Sequence, residues 1–374
     1  MRNARLEEVL HIRHHFLPIS ETFIYKDITG LKDFKNNLFC LKRLNPHLFP
    51  FPNIYQPNLF EGLFYRLSFR SRTLETLLKQ KEIKLLHCHL GVEGIYGLYY
   101  KKKFALPLVV SFHGFEFFVP FRKRYKNPTF YNYCHHYQEL ASQGDIFLCV
   151  SSATRQDLIS LGYPPEKVRT IYLGIDAESL PKKSDYFGKM VNIIFVGRLT
   201  EKKGILFLLT AYKRIAEKYP NCHLTIVGDG ELRKKVLEKI RKEGLKERIT
   251  WKGALPHQEA LNEMAKADIF VLPSYKTKDG NQEGTPYTIL EAQGIGLPVI
   301  STYHSGIPEI TRDGETAFLV KEKDTKGIEE KLALLLENPN RRKEMGEKGK
   351  EFIKKFPFQK RIEEISALYS QLIR

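Results

Sequence analysis

Two cations and two carboxylates with a regular spacing are the residues of this sequence best suited to chemistry. Arg198 and Lys203 lie in VGRLTEKKG, after an apolar run, and Glu283 and Glu291 bracket the Gly-Thr-Pro of EGTPYTILE. An arginine fork and a lysine point charge beside a helix N-terminus can hold a diphosphate, and carboxylates accept hydrogen bonds from hydroxyl groups. A solvated basic loop explains the cations equally well, and the acids also suit an ordinary helix N-terminus.

The stretch between the two glutamates predicts the start of a helix. Thr285 is expected as the N-cap and Pro286 as the first helical residue. The backbone amides near Thr285, Tyr287 and Thr288 would then face an anion at the positive end of the helix dipole. The first glutamate precedes this helix, and the second lies about a turn and a half inside it.

These side chains need a scaffold that gathers strand ends, and the sequence predicts one. Short apolar runs alternate with helical patterns along the chain, as in VNIIFVGRL (191–199), a helix over 204–219 and CHLTIVGDG (222–230). Such alternation is typical of parallel sheets covered by helices on both faces, and ligands bind beyond the carboxyl ends of their strands. The residues expected at those ends are His113, Ser151, Gly174, Arg198, Gly228, Gly253, Pro273 and Ser301.

Length and composition limit the class of protein. The 374 residues suit two domains, with a boundary expected near PKKSDYFGK (181–189). No apolar run reaches the roughly 20 residues of a membrane span, and the N-terminus lacks a signal-peptide pattern, so we expect a cytoplasmic protein. The 5 cysteines form no CxxC pair, which argues against a disulfide framework and a zinc site.

A net charge of +17, spread over both halves of the chain, favours an anionic partner. Nucleic acid, an anionic membrane surface and phosphorylated small molecules all fit, and adaptation to heat also enriches lysine and glutamate. The Gly-Asp-Gly turn of TIVGDGELRKK, with Gly228 and Gly230, fits either a tight turn or a close approach of backbone to a nucleotide.

Taken in order, Arg198, Lys203, Glu283 and Glu291 resemble the R-x4-K and E-x7-E signature of glycosyltransferase family 4. GDGEL, the run DGNQEGTPYTILEAQGIGLPVIST and HSGIPEITRDGETAFLV resemble its donor-binding domain, and FLPISETF, HCHLGVEG, VVSFHGFE and VSSATRQDL extend the likeness to nearly the whole chain. The N-terminal variants look most like bacterial envelope- and exopolysaccharide-type enzymes. The resemblance implies an α/β GT-B fold, with two Rossmann-like doubly wound parallel-sheet domains facing a cleft.

The resemblance also implies domain roles. Residues 1–182 would form the acceptor-side domain and 189–355 the nucleotide-sugar-binding domain. The amphipathic helix predicted over 356–374 would pack back on the first domain.

Roles for individual residues follow from the matching motifs. His113, Arg198, Lys203 and Glu283 would be catalytic, with the two cations holding the donor diphosphate and Glu283 meeting hydroxyls of the transferred sugar. Glu291 would bind the ribose. The expected donor-binding residues are Arg198, Lys203, Gly228, Gly230, Gly253, Glu283, Gly284, Thr285, Tyr287, Thr288 and Glu291. The family implies retention of configuration by front-face attack, since nothing in the sequence marks a glycosidase-type nucleophile.

One loop departs from the family pattern. Many members carry a glycine-rich loop after the first strand, whereas RHHFLPISETF (13–23) has no glycine. Ser20, Glu21 and Thr22 are expected to begin a helix there and to contact donor or acceptor. The chain also has no DxD motif, so we expect no cofactor and no metal ion.

The segment FEFFVPFRKRYKNPTFYNY (115–133) mixes aromatic and basic residues. A peripheral contact with the inner face of an anionic membrane and an amphipathic segment packed on its own domain fit it equally.

We therefore expect transfer of a sugar from a nucleotide-diphosphate sugar, with uridine the expected base, to a glycan or lipid-linked acceptor. The alternatives are a soluble transferase with a small acceptor, a catalytically dead scaffold of the same fold, and a nucleic-acid-binding protein. The last is disfavoured because no binding module concentrates the basic residues on one face.

Overall fold

Two compact units make up the chain. The computed structural model describes residues 6–114, 116, 128–183 and 185–374. The first unit combines Met1–Leu173 with Gln359–Arg374, and the second is Gly174–Phe358. The boundaries predicted from the sequence are 182/189 and 355/356, and the units divide at 173/174 and 358/359. Most of the basic-aromatic segment 115–133 falls on residue 115 and residues 117–127, which are outside the described residues.

The first unit is built on a parallel seven-stranded sheet with the order β5-β3-β1-β6-β7-β8-β9. A short parallel pair, β2 with β4, stands beside it. The strands are β1 (Glu8–Ile12), β2 (His15–Phe16), β3 (Lys35–Phe39), β4 (Lys42–Arg43), β5 (Ile54–Tyr55), β6 (Ile83–Cys88), β7 (Leu108–Phe112), β8 (Ile146–Cys149) and β9 (Val168–Thr170). The helices are α1 (Thr22–Gly30), α2 (Leu59–Ser68), α3 (Arg72–Gln80), α4 (Gly91–Phe104), α5 (Pro128–Gln143) and α6 (Ser152–Ser160).

The second unit is built on a parallel six-stranded sheet with the order β12-β11-β10-β13-β14-β15. Its strands are β10 (Val191–Val196), β11 (Cys222–Val227), β12 (Ile249–Trp251), β13 (Ile269–Val271), β14 (Val299–Thr302) and β15 (Ala317–Val320). The helices that follow α6 along the chain are α7 (Ile205–Lys218), α8 (Arg233–Lys242), α9 (His257–Lys266), α10 (Tyr287–Ile295), α11 (Thr325–Glu337), α12 (Pro339–Phe352) and α13 (Phe358–Ile373). Short 3-10 helices cover Ala177–Ser179, Glu201–Lys203, Lys246–Arg248, Ile307–Glu309 and Ile353–Lys355.

The strands are buried because they are apolar on both faces. Every residue of β1, β7, β13, β14 and β15 is buried, as expected where helices cover both faces of a parallel sheet. The predicted fold class is confirmed: both units are α/β with parallel sheets. No helix among the described residues is long and apolar enough to cross a membrane.

The order of the strands decides where a ligand can bind. In the second sheet β10 neighbours both β11 and β13. The chain adds β11 and β12 on one side of β10 and β13 to β15 on the other, so the strand order reverses between β10 and β13. In the first sheet the same reversal falls between β1 and β6. At such a switch point the loops at the carboxyl ends diverge and leave a crevice. The residues just after β10 and β13, and just after β1 and β6, are therefore the first to examine.

Helix α13 belongs to the first unit from its second residue, Gln359, onward. The guanidinium of Arg361 donates 2.8 Å and 2.7 Å hydrogen bonds to the two carboxylate oxygens of Asp27 in α1, and both side chains are buried. Arg361 also donates to the carbonyls of Ile171 and Tyr172. Tyr369, fully buried, hydrogen-bonds His87 of β6. This helix therefore completes the core of the first unit.

Candidate functional site

Glycines bring three loops together at the switch point of the second sheet. Gly204 has φ +72°, and a Cβ there would lie 1.9 Å from the carbonyl oxygen of Pro273 in the loop after β13. Gly228 has φ +138°, and its Cβ would lie 1.9 Å from the carbonyl oxygen of Gly197. Only glycine combines these backbone angles with such close approach. The loops that follow β10, β11 and β13 therefore meet at one edge.

Lysines and a glutamate form the centre of this edge. Lys203 Nζ lies 2.9 Å from Glu283 Oε2, and Lys202 Nζ lies 3.3 Å from Glu283 Oε1. Lys202 also donates a 2.8 Å hydrogen bond to the carbonyl of Gln282. The two lysines end a 3-10 helix after β10, whereas Glu283 arrives from the long loop after β13. The structure thus joins two of the predicted site residues and adds Lys202, which the sequence did not single out.

Opposing effects set the ionisation of this cluster. Burial alone would raise the pKa of the Glu283 carboxyl, but Lys202 and Lys203 more than offset it and hold that pKa well below its usual range. Burial lowers the pKa of Lys202; Glu283 opposes this shift, while the charges of Lys203 and Arg198 add to it. Arg198 itself is exposed. Two lysines therefore pair with one ionised carboxylate, and the charge of Arg198 adds to theirs, so positive charge remains for an anionic ligand.

A histidine and a second glutamate fix the backbone of Glu283 by hydrogen bonds. The backbone N–H of Glu283 donates to Nε2 of His304, at 3.2 Å, and Nδ1 of His304 donates to Glu322, at 2.6 Å. The carboxylate fixes the proton on Nδ1 and leaves Nε2 as the acceptor. His304 follows β14, in the position where polar residues of such sheets have functional weight. The sequence pattern contained that signal, but only Ser301 was chosen from it.

Helix α10 begins one residue later than predicted. Pro286 is the N-cap, with ψ 109°, and Tyr287 is the first helical residue, so the predicted assignment of Thr285 as N-cap is wrong. The reason lies just before it: the carbonyl of Gly284 accepts hydrogen bonds from Gly306 N–H and Ser305 Oγ, which keep the chain extended. Thr285 is nevertheless buried beside the helix start.

Glu291 lies inside α10 and meets a residue absent from the sequence-based list. Its Oε1 lies 2.5 Å from Nε2 of His257, the first residue of α9. Glu291 is buried, and the side chain of His257 is partly exposed. Thr288, one turn earlier, has a buried hydroxyl with no hydrogen-bond partner among the described residues. The predicted ribose-binding carboxylate is therefore paired with an imidazole that can also reach solvent.

The glycines after β11 and β12 lie on the same edge. Gly228 N–H donates a 2.7 Å hydrogen bond to the carbonyl of Gly253, which has φ +69°. The indole of Trp251 donates to the carbonyl of Gly228, and the guanidinium of Arg233 lies 4.6 Å from the Trp251 ring centroid. A Cβ on Gly230 would lie 2.7 Å from the carbonyl oxygen of Leu199. These loops pack closely against the segment that contains Arg198, and the approach of a nucleotide to Gly228 and Gly230 stays a prediction.

The predicted catalytic histidine belongs to the first unit. His113 follows β7, and both its ring nitrogens are buried without a hydrogen-bond partner of normal geometry among the described residues. Burial, helped by the charges of Arg361 and Arg13, lowers its pKa to about 3, so the imidazole is neutral. Its backbone N–H donates to the carboxylate of Glu116, which also accepts from Gly91 N–H at the start of α4. Glu116 is a further residue that the sequence did not single out.

Arg13 organises the switch point of the first sheet. Its guanidinium donates to both oxygens of Glu21 and, at 2.6 Å, to Oε1 of Glu93. That oxygen also accepts a 2.7 Å hydrogen bond from His14 N–H. Burial raises the pKa of Glu93 to about 7, although Arg13 and the His14 amide oppose it. Helix α1 begins at Thr22, within the predicted start at Ser20–Thr22, and Glu21 is its N-cap.

Three buried histidines lie beside this arginine. Among the described residues, His11, His87 and His89 are the one histidine-containing group whose nitrogens lie close enough to share a metal ion, within 4.8 Å of one another. Hydrogen bonds already occupy them: His11 Nδ1 to His89 Nε2 at 3.0 Å, His11 Nε2 to Asn36, and His87 to Ser111 and Tyr369. Burial lowers all three pKa values. The group is a neutral hydrogen-bonded cluster.

Two family models match adjacent parts of the chain. The model described as glycosyl transferases group 1 matches residues 176–352, and the model described as glycosyltransferase family 4 matches residues 36–179. Together they span residues 36–352, most of each unit. The chain belongs to glycosyltransferase family 4. This confirms the resemblance found in the sequence motifs.

Individual relatives and structures agree with this assignment. The putative colanic acid biosynthesis glycosyltransferase WcaL of Salmonella typhimurium is 34% identical over 203 residues, which cover 54% of this chain and 50% of the relative. An uncharacterized glycosyltransferase of Methanocaldococcus jannaschii is 27% identical over 322 residues, which cover 86% of this chain and 84% of the relative. The chain spans about half the length of the first curated relatives that it matches.

The fold has close structural neighbours. The structure of Anabaena HepE in complex with UDP and glucose matches with a TM-score of 0.82 and 16% identity, covering 98% of this chain and 100% of that one. A likeness at this identity shows the fold, which is of the predicted GT-B class.

Proposed function

We propose that this family 4 protein is a retaining, metal-independent glycosyltransferase that takes its sugar from a nucleotide-diphosphate sugar. The observation that carries the proposal is the cluster at the β10/β13 switch point, where Lys202 and Lys203 pair with Glu283 and the exposed Arg198 adds its charge beside Lys202. A diphosphate leaving group develops negative charge as the glycosidic bond breaks. Fixed cations in a partly buried site stabilise such charge, and this is usually the largest catalytic contribution.

The roles of the residues follow from their positions. Lys203 would move from Glu283 to a donor phosphate, and Arg198, already exposed, would complete the clamp with its fork. Released from Lys203, the Glu283 carboxylate would accept hydrogen bonds from hydroxyls of the sugar. Because its pKa is far below the usual range, it stays ionised and acts as an acceptor at every working pH.

Three further features of the proposal rest on different arguments. Protein cations supply the counter-charge that a divalent ion provides in other transferases, which supports metal independence. After Lys203 turns to the donor, Glu283 is still paired with Lys202 and held through its backbone by His304, and this favours hydroxyl binding over nucleophilic attack, hence front-face departure with retention. The neutral, buried imidazole of His113 suits a hydrogen bond to an uncharged hydroxyl group.

For the donor we propose a UDP-sugar, and for the acceptor a glycan or lipid-linked sugar in the synthesis of an envelope or extracellular polysaccharide. WcaL is named for colanic acid biosynthesis, and HepE is named in complex with UDP and glucose. Glu291, paired with His257 beside the start of α10, would bind the ribose. We place the reaction on the cytoplasmic side of the membrane, without nucleic acid as a partner.

The deciding experiment measures donor binding by thermal unfolding with uridine-, guanosine- and adenosine-diphosphate sugars. A ligand at about 100 times its Kd adds about 2.7 kcal/mol to the free energy of unfolding. We expect one nucleotide series to stabilise the wild type and Glu291→Ala to lose the effect. Glu330→Ala, an exposed acid of α11, is the matched control and should keep it. If no sugar nucleotide changes the melting temperature, the proposed function is wrong.

Mechanism and metal dependence are tested with a donor and an acceptor between which the protein transfers the sugar. Retention predicts a product with the anomeric configuration of the donor, read by NMR coupling constants. Turnover that persists in excess EDTA supports metal independence. An inverted product, or activity restored only by a divalent ion, would contradict the corresponding part of the proposal.

A further inference from the structure

Helix α2 exposes an unusual number of large apolar side chains. Leu59, Phe60, Leu63, Phe64 and Leu67 are 76%, 83%, 55%, 56% and 69% exposed. They account for five of the ten residues of the helix, Leu59–Ser68. Scattered exposed apolar residues are ordinary on a protein surface, but a contiguous group of this size marks an interaction site.

The five side chains form one face. Their spacing places them within a single arc of a helix with about 3.6 residues per turn. The opposite face is fixed to the core by Tyr65, which is fully buried and stacks on Tyr96 with 4.8 Å between ring centroids. Because the inner face is anchored, the apolar face is held outward by the fold.

Hydrogen bonds at both ends of α2 make it rigid. Asn58 caps the N-terminus by accepting from Glu61 N–H, and Phe69 N–H closes the C-terminus on the Tyr65 carbonyl. Glu61, the one acid in the helix sequence, turns to Ser71 and Thr73 and accepts hydrogen bonds from both. The apolar face is therefore free of negative charge from its own helix.

Cations border the apolar face on one side. Arg66 adjoins the apolar arc by helical spacing, and its guanidinium lies 3.5 Å from Nε2 of the exposed His15. His15 pairs in register with Lys42, whose side chain is also exposed. Burial lowers the pKa of His15, and the charges of Arg13, Arg66 and Lys42 contribute. The border of the face is thus positive at neutral pH.

We propose that α2 is a docking helix that lies in the interface of an anionic lipid bilayer, with its leucine and phenylalanine side chains among the acyl chains. Ten residues make a helix of about 15 Å, half the roughly 30 Å of a bilayer core, so α2 lies flat on the surface. Arg66 and Lys42 then meet lipid phosphates.

Charge favours a bilayer over a second copy of the chain. The chain has a net charge of +17 and a pI near 9.4, so two copies repel each other, whereas an anionic membrane attracts each of them. This docking surface consists of other residues than the predicted contact through 115–133, and Asn132 at the end of that segment donates a 2.7 Å hydrogen bond to the Arg66 carbonyl of α2. It does not depend on the proposed function either, because vesicle binding requires neither donor nor acceptor.

The test is co-sedimentation of the full chain with phosphatidylcholine vesicles that contain or lack phosphatidylglycerol. We expect binding to the anionic vesicles and a loss of at least about tenfold in partitioning for the double variant Phe60→Ser, Phe64→Ser. The control is Phe187→Ser, because Phe187 in the second unit is 56% exposed, as Phe64 is. This variant should bind like the wild type.

A charge variant separates the two contributions. Lys42→Gln with Arg66→Gln should weaken binding to anionic vesicles by about fivefold per cation and leave the small affinity for neutral vesicles unchanged. All replaced side chains except Arg66 are exposed, and melting curves should show unchanged folding.

Three outcomes would overturn the proposal. The first is a wild type that sediments with neither kind of vesicle. The second is binding that survives the double phenylalanine substitution, which would place the membrane contact elsewhere. The third is a wild type that forms a dimer without vesicle binding, together with loss of that dimer in the double variant. In that case α2 is an interface between copies.

Discussion

The switch points of the two sheets carry opposite balances of charge. In the second unit, Arg198, Lys202 and Lys203 outnumber the one carboxylate of Glu283. In the first unit, Arg13 is shared between Glu21 and Glu93, and the histidines beside it are neutral because they are buried. The same topology thus produces one edge that attracts an anion and one whose charges are satisfied internally.

This difference shows what the fold leaves open. Strand order fixes where side chains converge, whereas the residues in the loops decide which ligand can bind there. The edge of the second unit with Arg198, Lys202 and Lys203, the cationic edge, is suited to a diphosphate. The edge of the first unit with Arg13, Glu21, Glu93 and the buried histidines, the neutral edge, is suited to uncharged hydroxyl groups. A phosphate would meet two carboxyl groups there.

Replacing Lys203 of the cationic edge should have the largest effect on the reaction rate. We expect Lys203→Ala to lower kcat with a nucleotide-sugar donor by about 10²–10³-fold, because one fixed charge facing the leaving group is lost. Lys203→Arg should recover part of the rate. Steady-state kinetics of donor hydrolysis or transfer measure the effect.

The matched control for Lys203 is Lys326→Ala, since Lys326 is an exposed lysine of α11. Its kinetics should equal those of the wild type. If Lys203→Ala retained full kcat, the cationic edge would not be the donor site.

Much of the second unit could be predicted because its signals are local. The apolar runs 191–199 and 222–230 contain β10 and β11, and the helix predicted over 204–219 matches α7 within one residue at each end. Continuous apolar strands and helical periodicity need only neighbouring residues. The domain of Arg198 and Lys203 was therefore readable without a structure.

The partners of the site residues could not be predicted, because they are distant in sequence. Glu283 lies 80 positions from Lys203, and Glu93 also lies 80 positions from Arg13. Both contacts depend on strand order, which periodicity does not reveal. In TEKKG nothing distinguishes Lys202, which turns inward to Gln282, from an ordinary solvated lysine.

An alanine at Gly204 tests whether the close approach of the loops after β10 and β13 supports the cationic edge. A Cβ at Gly204 would meet the Pro273 carbonyl at 1.9 Å with φ +72°, whereas Gly244 has φ +68° and open space around it. Both alanine variants incur the backbone strain of about 1 kcal/mol. Gly204→Ala should lose about 3 kcal/mol in total, because the loops must also separate.

Urea unfolding of the two glycine variants measures the difference. Gly204→Ala should also weaken donor binding, and Gly244→Ala should not. Equal losses of stability would show that the approach of the loops contributes nothing.

The neutral edge should reveal itself through pH. Burial raises the pKa of Glu93 from 4.5 to about 7. Between those values the folded chain holds a proton that the unfolded chain has released, so this contribution to stability is complete below 4.5 and is lost as pH rises through 7. Relative to Glu93→Gln, the wild type should lose on the order of 3 kcal/mol over that window.

Urea unfolding at several pH values compares the two proteins. Glu75→Gln, at an acid on the neighbouring helix α3 that pairs with Lys103, is the control and should run parallel to the wild type. A constant difference between wild type and Glu93→Gln would mean that Glu93 remains ionised throughout, and the edge would then be more negative than its pKa indicates.

The smallest expected effect concerns His304, whose ring hydrogen-bonds the backbone N–H of Glu283 and the carboxylate of Glu322. Its loss removes about 1 kcal/mol of hydrogen bonding, so His304→Ala should lower kcat about three- to tenfold with little change in KM, because Glu283 is mispositioned while the lysines remain. Glu322→Gln should have a weaker effect of the same kind. His223→Ala, which removes a partly exposed histidine of β11 whose Nε2 hydrogen-bonds the Thr250 hydroxyl, should leave both constants unchanged. A rise in KM at constant kcat would instead assign His304 to donor affinity. The donor site of the second unit would then include a residue that binds the donor without belonging to the cations of that edge.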